Sequence, residues 1–416
     1  MKLGFLFHIY QPPLQSDAVV KSIAETSYLP LIKLLKKRRE FKLTLNIPLS
    51  LLEHLDRLGY LQFINDLKEL IKIGQVELVG SGAYHALLTK QPQSLQEEQI
   101  ILQEYCLGYY FGSRIGFDGE DSVMIKDIRG FFPPEIAINS KLLNVLDDLS
   151  YNWVAVDSTA FDPNSIITDV TVYKTADHNI LLVKRNTKLS NSLSFQRDSS
   201  TTNFMDGLLD STSIEHFIAL DGETFGHHNK EGLFLLDSLL DDLLAKEVEL
   251  TTITELISGV EPGQIDAIKE STWGASVEDM ANNIPYPMWA TPGNAVHANL
   301  WKLLEILSTN YKNDMEYTLD GYENVPLWSK DFINSIEDPA VKKQLKSFID
   351  FHKLLASDAF WWASNKHLPN NVILSDSAFV NRYLDAVSAY VSNNESNVTS
   401  EEVNEQIAKI REMFNV

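Results

Sequence analysis

The sequence predicts an α/β protein in which a barrel of parallel strands occupies residues 1–290 and a helical region occupies residues 291–416. Short apolar runs alternate with longer amphipathic runs through the first two thirds of the chain, which is typical of βαβ units and a parallel sheet. Six or more such units in roughly 260 residues favour a barrel over an open two-layer fold. From about Asn294 onward, every predicted element is a helix.

Each predicted strand is a short apolar run next to polar, Gly or Pro residues. In chain order the strands are Lys2–Ile9, Phe41–Ile47, Val76–Val79, Ile128–Phe132, Asn152–Val156 and Glu215–Leu220. The helices of the barrel region show apolar residues at spacings of three and four; they are Leu49–Lys72, Ser94–Tyr110, Ala137–Leu149 and Glu231–Leu244. Gly59 predicts a break in the first of these helices. The carboxyl-terminal helices are predicted at Asn294–Leu307, Ala340–Trp362, Asp376–Val391 and Thr399–Phe414, with no strand between them.

The charge balance disfavours several classes of partner. The chain has 57 Asp and Glu against 35 Lys and Arg, which gives a formal charge of −22. A negative charge of this size repels nucleic acid and anionic membranes. We therefore expect no nucleic-acid or membrane partner, and a neutral ligand fits best. Cys106 is the one cysteine, so an intramolecular disulfide and a thiolate metal cluster are excluded. The apolar run in Met1–Ile9 is too short for a signal sequence and no stretch reaches about 18 apolar residues, which favours a cytoplasmic protein.

Polar residues follow four of the predicted strands, beside Gly or Pro. In a parallel barrel the functional residues lie at the carboxyl ends of the strands, so these four segments are the candidates for a site. They are His8-Ile9-Tyr10-Gln11-Pro12-Pro13, Gly80-Ser81-Gly82-Ala83-Tyr84-His85, Pro133-Pro134-Glu135 and Asp221-Gly222-Glu223-Thr224-Phe225-Gly226-His227-His228.

Two carboxylates in these segments suit acid–base chemistry. Glu135 follows two aromatic residues and two prolines, a stiff segment that holds a side chain in one direction. Asp221 follows an apolar strand and precedes Gly222, which leaves backbone room for a ligand. Glycoside hydrolysis requires a carboxylate pair, one as nucleophile or base and the other as proton donor. Glu135 could equally be a surface or helix-capping residue, and Asp221 a turn residue.

The four segments, in this order, resemble the motifs of glycoside hydrolase family 57. The matching residues are His8-Ile9-Tyr10-Gln11-Pro12 for the first motif, Gly82-Ala83-Tyr84-His85 for the second, Phe132-Pro133-Pro134-Glu135 for the third and Asp221-Gly222-Glu223-Thr224-Phe225-Gly226 for the fourth. The resemblance continues into Ser271-Thr272-Trp273 and Ser357-Asp358-Ala359-Phe360-Trp361. It implies an incomplete (β/α)7 barrel with a helical carboxyl-terminal region that closes over the cleft.

The resemblance also implies an activity, which is a retaining reaction on α-linked glucans through a covalent glycosyl-enzyme intermediate. Glu135 would be the nucleophile, and Asp221 the general acid and base. The substrate-binding residues would be His8, Gln11, His85, Glu223, His228, Trp273, Asp358 and Trp361. Two positions depart from the family pattern, because Tyr10 replaces the second histidine of the first motif and Ala86 replaces the proline after the second.

The sequence leaves three choices open. The reaction could be hydrolysis, as in an α-amylase, or transfer, as in a 4-α-glucanotransferase, since both share the covalent intermediate. A metal-dependent carbohydrate deacetylase is an alternative, although no His-x-x-His or His-Glu-x-x-His pattern occurs and we expect no metal or cofactor. A non-catalytic glucan-binding protein on the same fold is the other alternative. The oligomeric state is left open.

Overall fold

The computed structural model describes residues 1–112, 128–162, 170–195, 200–311, 325–365, 367–368, 372–373, 376–394 and 400–414. The chain divides into two compact units. The first contains Met1–Gln11, Gln15–Ala83 and Leu88–Ser271, and the second contains Pro12–Leu14, Tyr84–Leu87 and Thr272–Val416. The second unit is therefore built mainly from the carboxyl-terminal part of the chain, with two short segments from the amino-terminal part.

The strands of the first unit form two five-stranded sheets, ordered β3-β2-β1-β8 with β9 also beside β1, and β10-β6-β7-β5-β4. The described strands are β1 (Lys2–His8), β2 (Leu43–Asn46), β3 (Val76–Leu78), β4 (Gly130–Phe131), β5 (Trp153–Val156), β6 (Val172–Thr175), β7 (Leu181–Lys184), β8 (Glu215–Asp221), β9 (Glu249–Thr251) and β10 (Gly263–Ile265), with β11 (His367–Leu368) and β12 (Val372–Ile373) in the second unit.

Two seams join the sheets into a barrel. Gly80, after β3, pairs in parallel with Phe131 of β4, and the Phe132 N–H donates to the Gly80 carbonyl over 2.9 Å. At the other seam the Asn186 N–H, after β7, donates to the Phe217 carbonyl of β8 over 2.8 Å. The strands β1 to β5, β7 and β8 then close a ring in which the neighbours run parallel. This arrangement confirms the predicted α/β barrel.

The helices of the first unit are α1 (Asp17–Ile23), α2 (Leu29–Lys37), α3 (Leu49–Arg57), α4 (Leu61–Lys72), α5 (Gln93–Phe111), α6 (Ser140–Asp148), α7 (Thr187–Ser194), α8 (Thr202–Leu209), α9 (Gly232–Ala245) and α10 (Ile253–Ile257), and a π-helical turn, Ala24–Tyr28, joins α1 to α2. Those of the second unit are α11 (Val277–Ala281), α12 (Ala295–Asn310), α13 (Lys330–Ser335), α14 (Pro339–Leu354), α15 (Asp358–Trp362), α16 (Ser377–Asn393) and α17 (Ser400–Phe414). The predicted break between α3 and α4 is confirmed, with Gly59 at a φ of 82°. Among the described helices, none has both the length and the apolar character to cross a membrane.

Strand β1 lies at the centre of its sheet. It has β8 on one side, and β2 and β9 on the other. Leu3, Phe5, Leu6 and Phe7 are fully buried, as expected for a parallel strand that is covered on both faces. Each such side chain contributes about 1.5–3 kcal/mol on burial. The strand therefore provides a rigid base for the polar residues at its carboxyl end.

Three sequence-based expectations about secondary structure were wrong. The stretch after Val156, expected to be irregular, holds the antiparallel pair β6–β7. The carboxyl-terminal region, expected to lack strands, holds the pair β11–β12, whose two-residue strands are too short to show periodicity. The single helix expected over Ala340–Trp362 is two helices, α14 and α15. Between them Ala356 bridges to Ala86, so the backbone leaves the helical path. The first residue of the last predicted helix, Thr399, lies outside the described residues.

The seam at Gly80 leads to a prediction about stability. A β-carbon at Gly80 would overlap the ring of Tyr151, whose hydroxyl is held by a 2.8 Å hydrogen bond to Glu104 on α5. We expect Gly80→Ala to lower the free energy of unfolding by about 1–3 kcal/mol, as measured by chemical denaturation. Gly207→Ala in α8 is the control, since its added methyl group meets only the end of Leu189. Equal free energies of unfolding for the two variants would contradict the close packing of Gly80 against Tyr151.

Candidate active site

A row of three polar side chains crosses the carboxyl ends of β2, β1 and β8. His8, the last residue of β1, is in register with Asn46 of β2 and with Asp221 of β8. Neighbouring strands lie about 4.8 Å apart, and register partners project to the same face. The His8 Nδ1 and the Asn46 Oδ1 are 2.6 Å apart. Because His8 is 4% exposed and Asn46 is completely buried, these two members of the row lie inside the protein.

The imidazole of His8 stacks against two aromatic rings. The ring of Tyr10 lies 5.6 Å away at an interplanar angle of 18°, and that of Phe132 lies 4.9 Å away at 17°. Phe132 follows β4, so its contact with His8 spans the barrel end from β4 to β1. The chain then continues through Pro133 and Pro134 to Glu135. The stack therefore brings the Glu135 segment to the same end of the barrel as Asp221.

Glu135 has a strained backbone. It lies in the 3₁₀ turn Pro134–Ile136 with φ 61° and ψ 18°, a left-handed conformation that costs a non-glycine residue on the order of 1–3 kcal/mol. Two backbone hydrogen bonds impose the turn, from Ile136 to the Pro133 carbonyl at 2.8 Å and from Ala137 to the Pro134 carbonyl at 3.0 Å. The side chain is half-buried. Strained backbone of this kind is concentrated at functional sites.

Asp221 ends β8 with its carboxyl group partly buried. Burial raises its pKa from the usual 3.8 to about 6, and the positive charge of Arg185 opposes this rise. Arg185 is itself buried; its Nε donates to the Ala219 carbonyl over 2.8 Å and its Nη1 to Asp157 over 2.9 Å. A carboxyl group with a pKa near neutrality can release and recover a proton at physiological pH, as a general acid and base must.

Glu223 lies two residues after Asp221 and is 5% exposed. One of its oxygens accepts hydrogen bonds from the Tyr10 N–H, at 2.9 Å, and from the hydroxyl of Tyr28 in the π-helical turn. Burial, and after it the negative charge of Asp221, raise the pKa of Glu223 from the usual 4.5 to about 8. The Gln11 amide donates to the same tyrosine hydroxyl over 3.1 Å. Glu223 is therefore mostly protonated at pH 7, which limits the negative charge beside Asp221.

Three further candidate residues, His85, Asp358 and Trp361, belong to the second unit. His85 is buried and, like Glu135, has a left-handed backbone, with φ 57°. Its Nδ1 lies 3.2 Å from the Ser357 Oγ, and its carbonyl accepts a 3.1 Å hydrogen bond from the Ser357 N–H. Asp358 and Trp361 follow in α15, both half-buried. The remaining candidate of this unit, Trp273, is also half-buried.

His228 differs from the other candidates because it is exposed. Its backbone N–H donates to the Glu223 carbonyl over 2.9 Å. Its ring lies 5.1 Å from that of His227, which is also exposed. The structure therefore sets His228 on the surface of the loop after β8, outside the buried polar row.

The sequence analysis missed Asn46, Tyr28, Arg185 and Asp157. Asn46 and Asp157 could have been predicted from the sequence. Asn46 lies near the end of one predicted strand, and Asp157 directly follows another. Arg185 follows β7, a strand that the sequence analysis did not predict. Tyr28 lies in a helical region, where no pattern distinguishes a residue that contacts a distant glutamate.

Among the described residues, no cluster of three or more His, Cys, Asp or Glu side chains could hold a metal ion. The polar groups at this end of the barrel include carboxyl, imidazole and amide groups, which suit proton transfer and hydrogen bonding to hydroxyl groups.

Comparison with known proteins gives consistent matches. The family model for glycosyl hydrolase family 57 matches residues 8–269. An α-amylase of Pyrococcus horikoshii is 28% identical over 162 residues, which are 38% of this chain and 23% of the relative. The chain thus matches less than a quarter of that relative's length.

Two solved structures show the same fold. The 4-α-glucanotransferase of Thermococcus litoralis superposes with a TM-score of 0.63 at 18% identity, over 94% of this chain and 58% of the other. An exo-type maltose-forming amylase of Pyrococcus sp. ST04 superposes with a TM-score of 0.69 at 12% identity, over 98% of this chain and 82% of the other. At these identities the likeness establishes the fold and not the activity.

The raised pKa of Asp221 leads to a prediction about stability. A carboxyl group whose pKa is about 6 when folded and near 3.8 when unfolded destabilises the fold progressively as the pH rises through that interval. The substitution Asp221→Asn removes the ionisable group and with it this pH-dependent loss of stability. We expect the variant to exceed the wild type in free energy of unfolding by about 1–3 kcal/mol at pH 8, with the difference shrinking towards pH 4. Chemical denaturation of both proteins at several pH values measures this difference in the free energy of unfolding. Asp210→Asn, at an exposed site, is the control, and a difference independent of pH would contradict the prediction.

Proposed function

The chain belongs to glycosyl hydrolase family 57, and on that basis we propose that it is a retaining enzyme that cleaves or transfers α-linked glucans. The proposal is supported by the position of β8, which ends in Asp221, and of the segment that leads to Glu135, since both lie beside His8 at one end of the barrel. Asp221 is in register with His8, and the segment that leads to Glu135 is attached to His8 through the ring of Phe132. A retaining glycosidase needs two carboxyl groups on opposite sides of one glycosidic bond.

In the first step of the proposed reaction, Glu135 attacks the anomeric carbon and forms a covalent ester with the sugar. Asp221 donates its proton to the glycosidic oxygen as the bond to the leaving chain breaks. The strained turn at Glu135 supports its role because strain of this kind is concentrated at functional sites. The pKa of about 6 supports the role of Asp221, because a proton donor must carry its proton near neutral pH.

In the second step Asp221, now a carboxylate, takes a proton from a water molecule or from a hydroxyl group of an acceptor sugar. The resulting nucleophile attacks the anomeric carbon, and Glu135 leaves as a carboxylate. Water as the acceptor makes the enzyme an α-amylase, and a sugar makes it a 4-α-glucanotransferase. Both outcomes use the same residues, so the two activities differ in acceptor access and not in the catalytic pair.

The proposed substrate is an α-glucan or malto-oligosaccharide. The similar proteins described as α-amylase, 4-α-glucanotransferase and maltose-forming amylase support this class. In the first unit, His8, Gln11 and Glu223 would bind sugar hydroxyl groups, and His228 would reach the substrate from the loop surface. In the second unit, His85, Trp273, Asp358 and Trp361 would contribute further contacts. A neutral glucan is compatible with a carboxyl-rich site, since it brings no charge of its own.

Incubation with maltoheptaose and analysis of the products tests the proposal. Shorter sugars alone indicate hydrolysis, and a series that includes longer chains indicates transfer. Glu135→Gln and Asp221→Asn should each lower the rate by at least about a hundredfold, since each removes one half of the catalytic pair. Glu215→Gln changes a carboxyl group at the amino end of β8, the opposite end from Asp221, and should leave the rate unchanged.

A maltoside with an activated aryl leaving group separates the two roles. Such a leaving group departs without a proton, so Asp221→Asn should still release the phenol in the first step, and Glu135→Gln should not. Unchanged maltoheptaose with the wild-type protein would contradict the proposal. Binding without turnover would indicate a glucan-binding protein, and removal of acetyl groups from a sugar in a metal-dependent manner would indicate a deacetylase.

A further inference from the structure

We propose that Asn46 is a positioning residue that sets the tautomer of His8 and thereby makes the Nε2 atom of that ring a hydrogen-bond acceptor. The inference rests on the proposed function, in which His8 contacts a sugar hydroxyl group, and it adds a residue from β2 to the machinery. The position of Asn46 in the fold carries it, since register and hydrogen bonding place the amide directly against the imidazole.

The chemistry of the contact fixes which nitrogen carries the proton. The Asn46 Oδ1 is a carbonyl oxygen and can only accept, so at 2.6 Å the His8 Nδ1 must be the donor. Burial lowers the pKa of His8 to about 4, and the ring is therefore neutral at pH 7. A neutral imidazole with its proton on Nδ1 has a lone pair on Nε2. That lone pair can accept a hydrogen bond from a sugar O–H group.

The packing around His8 prevents the ring from reversing the arrangement by rotation. The rings of Tyr10 and Phe132 stack on the imidazole, with centroids 5.6 Å and 4.9 Å away and interplanar angles of 18° and 17°. A half-turn about the Cβ–Cγ bond must pass through orientations in which the imidazole is no longer parallel to these rings, so the stacking opposes the rotation. Nδ1 therefore stays opposite Asn46, and the acceptor on β2 decides the position of the proton.

The hydrogen bonds of Asn46 differ from those of a nearby buried amide, Gln103, which has a structural role. Gln103 on α5 uses both ends of its amide, with Nε2 donating to the Ile47 carbonyl over 2.9 Å and Oε1 accepting from the Leu49 N–H over 2.7 Å. Within the described part of the chain, the buried Asn46 Nδ2 has no hydrogen-bond partner. A buried amide donor without a partner lowers stability, and an apolar side chain would avoid that loss. The contact that favours an amide at this position is the one to His8.

The tautomer of His8 can be measured directly by NMR of the ring nitrogens in protein labelled with ¹⁵N-histidine. The signals of His8 are those lost in a His8→Gln variant. In the wild type at pH 7 we expect the proton on Nδ1. Asn46→Asp keeps an oxygen acceptor and should keep this tautomer, whereas Asn46→Leu has a similar size without an acceptor and should lose it. Gln103→Leu, which removes the other amide, should keep it.

Activity gives a second readout. We expect Asn46→Leu to lower kcat/KM on maltoheptaose about ten- to a hundredfold, by analogy with the loss when the hydrogen-bond partner of a metal-bound histidine is removed. Gln103→Leu serves as the comparison for a loss of stability alone, and unfolding curves of both variants are recorded with the kinetics. A drop no larger than that of Gln103→Leu would overturn the inference.

Two NMR results would also overturn it, namely a wild-type His8 with its proton on Nε2, or an unchanged His8 spectrum in Asn46→Leu. If Asn46→Leu does not fold, the wild-type and Asn46→Asp spectra still decide the question. The spectra need no substrate, so they separate this inference from the proposed function. A protein that carries the expected tautomer but leaves glucan unchanged would refute the function and not the role of Asn46 at His8.

Discussion

The candidate site depends on one interaction, the enclosure of the His8 imidazole at the end of the barrel. The ring stacks against Tyr10 and Phe132, and its Nδ1 lies 2.6 Å from the Asn46 Oδ1. Through these contacts a single side chain connects β1 to β2 and to the segment after β4. The backbone partner of His8 on the other side is Asp221. The strand that ends in Asp221 and the segment that leads to Glu135 therefore both contact the same residue.

Burial gives these polar groups their chemistry. Asp221 and Glu223 are only two residues apart, and two charged carboxylates in that space would repel each other. Desolvation and the neighbouring charge shift the pKa of Glu223 furthest, to about 8, while the pKa of Asp221 stays near 6 because Arg185 lies behind it. The two carboxyl groups thus separate into one that stays protonated at pH 7 and one that can exchange its proton. The ion pair between Arg185 and Asp157 is buried as well and holds that positive charge in place.

The parts of the fold that could be predicted from sequence are those with a repeating physical pattern. Apolar runs and helical spacing located the strands of the ring except β7, and Gly59 located the break between α3 and α4. The end of an apolar strand likewise located His8 and Asp221. The β11–β12 pair was missed because two-residue strands carry no period. Contacts between distant residues were missed for a different reason, since nothing local in the sequence relates Tyr28 to Glu223 or Arg185 to Asp157.

The central claim is that Glu135 and Asp221 act as a nucleophile and an acid–base pair on an α-glucoside. The anomeric configuration of the first product, followed by ¹H NMR before mutarotation begins, tests it most directly. Two displacements at the anomeric carbon restore the starting configuration, so we expect the α-anomer to appear first and the β-anomer to follow only by mutarotation. First appearance of the β-anomer would mean a single displacement by water, and it would contradict the assignment of Glu135 as a nucleophile.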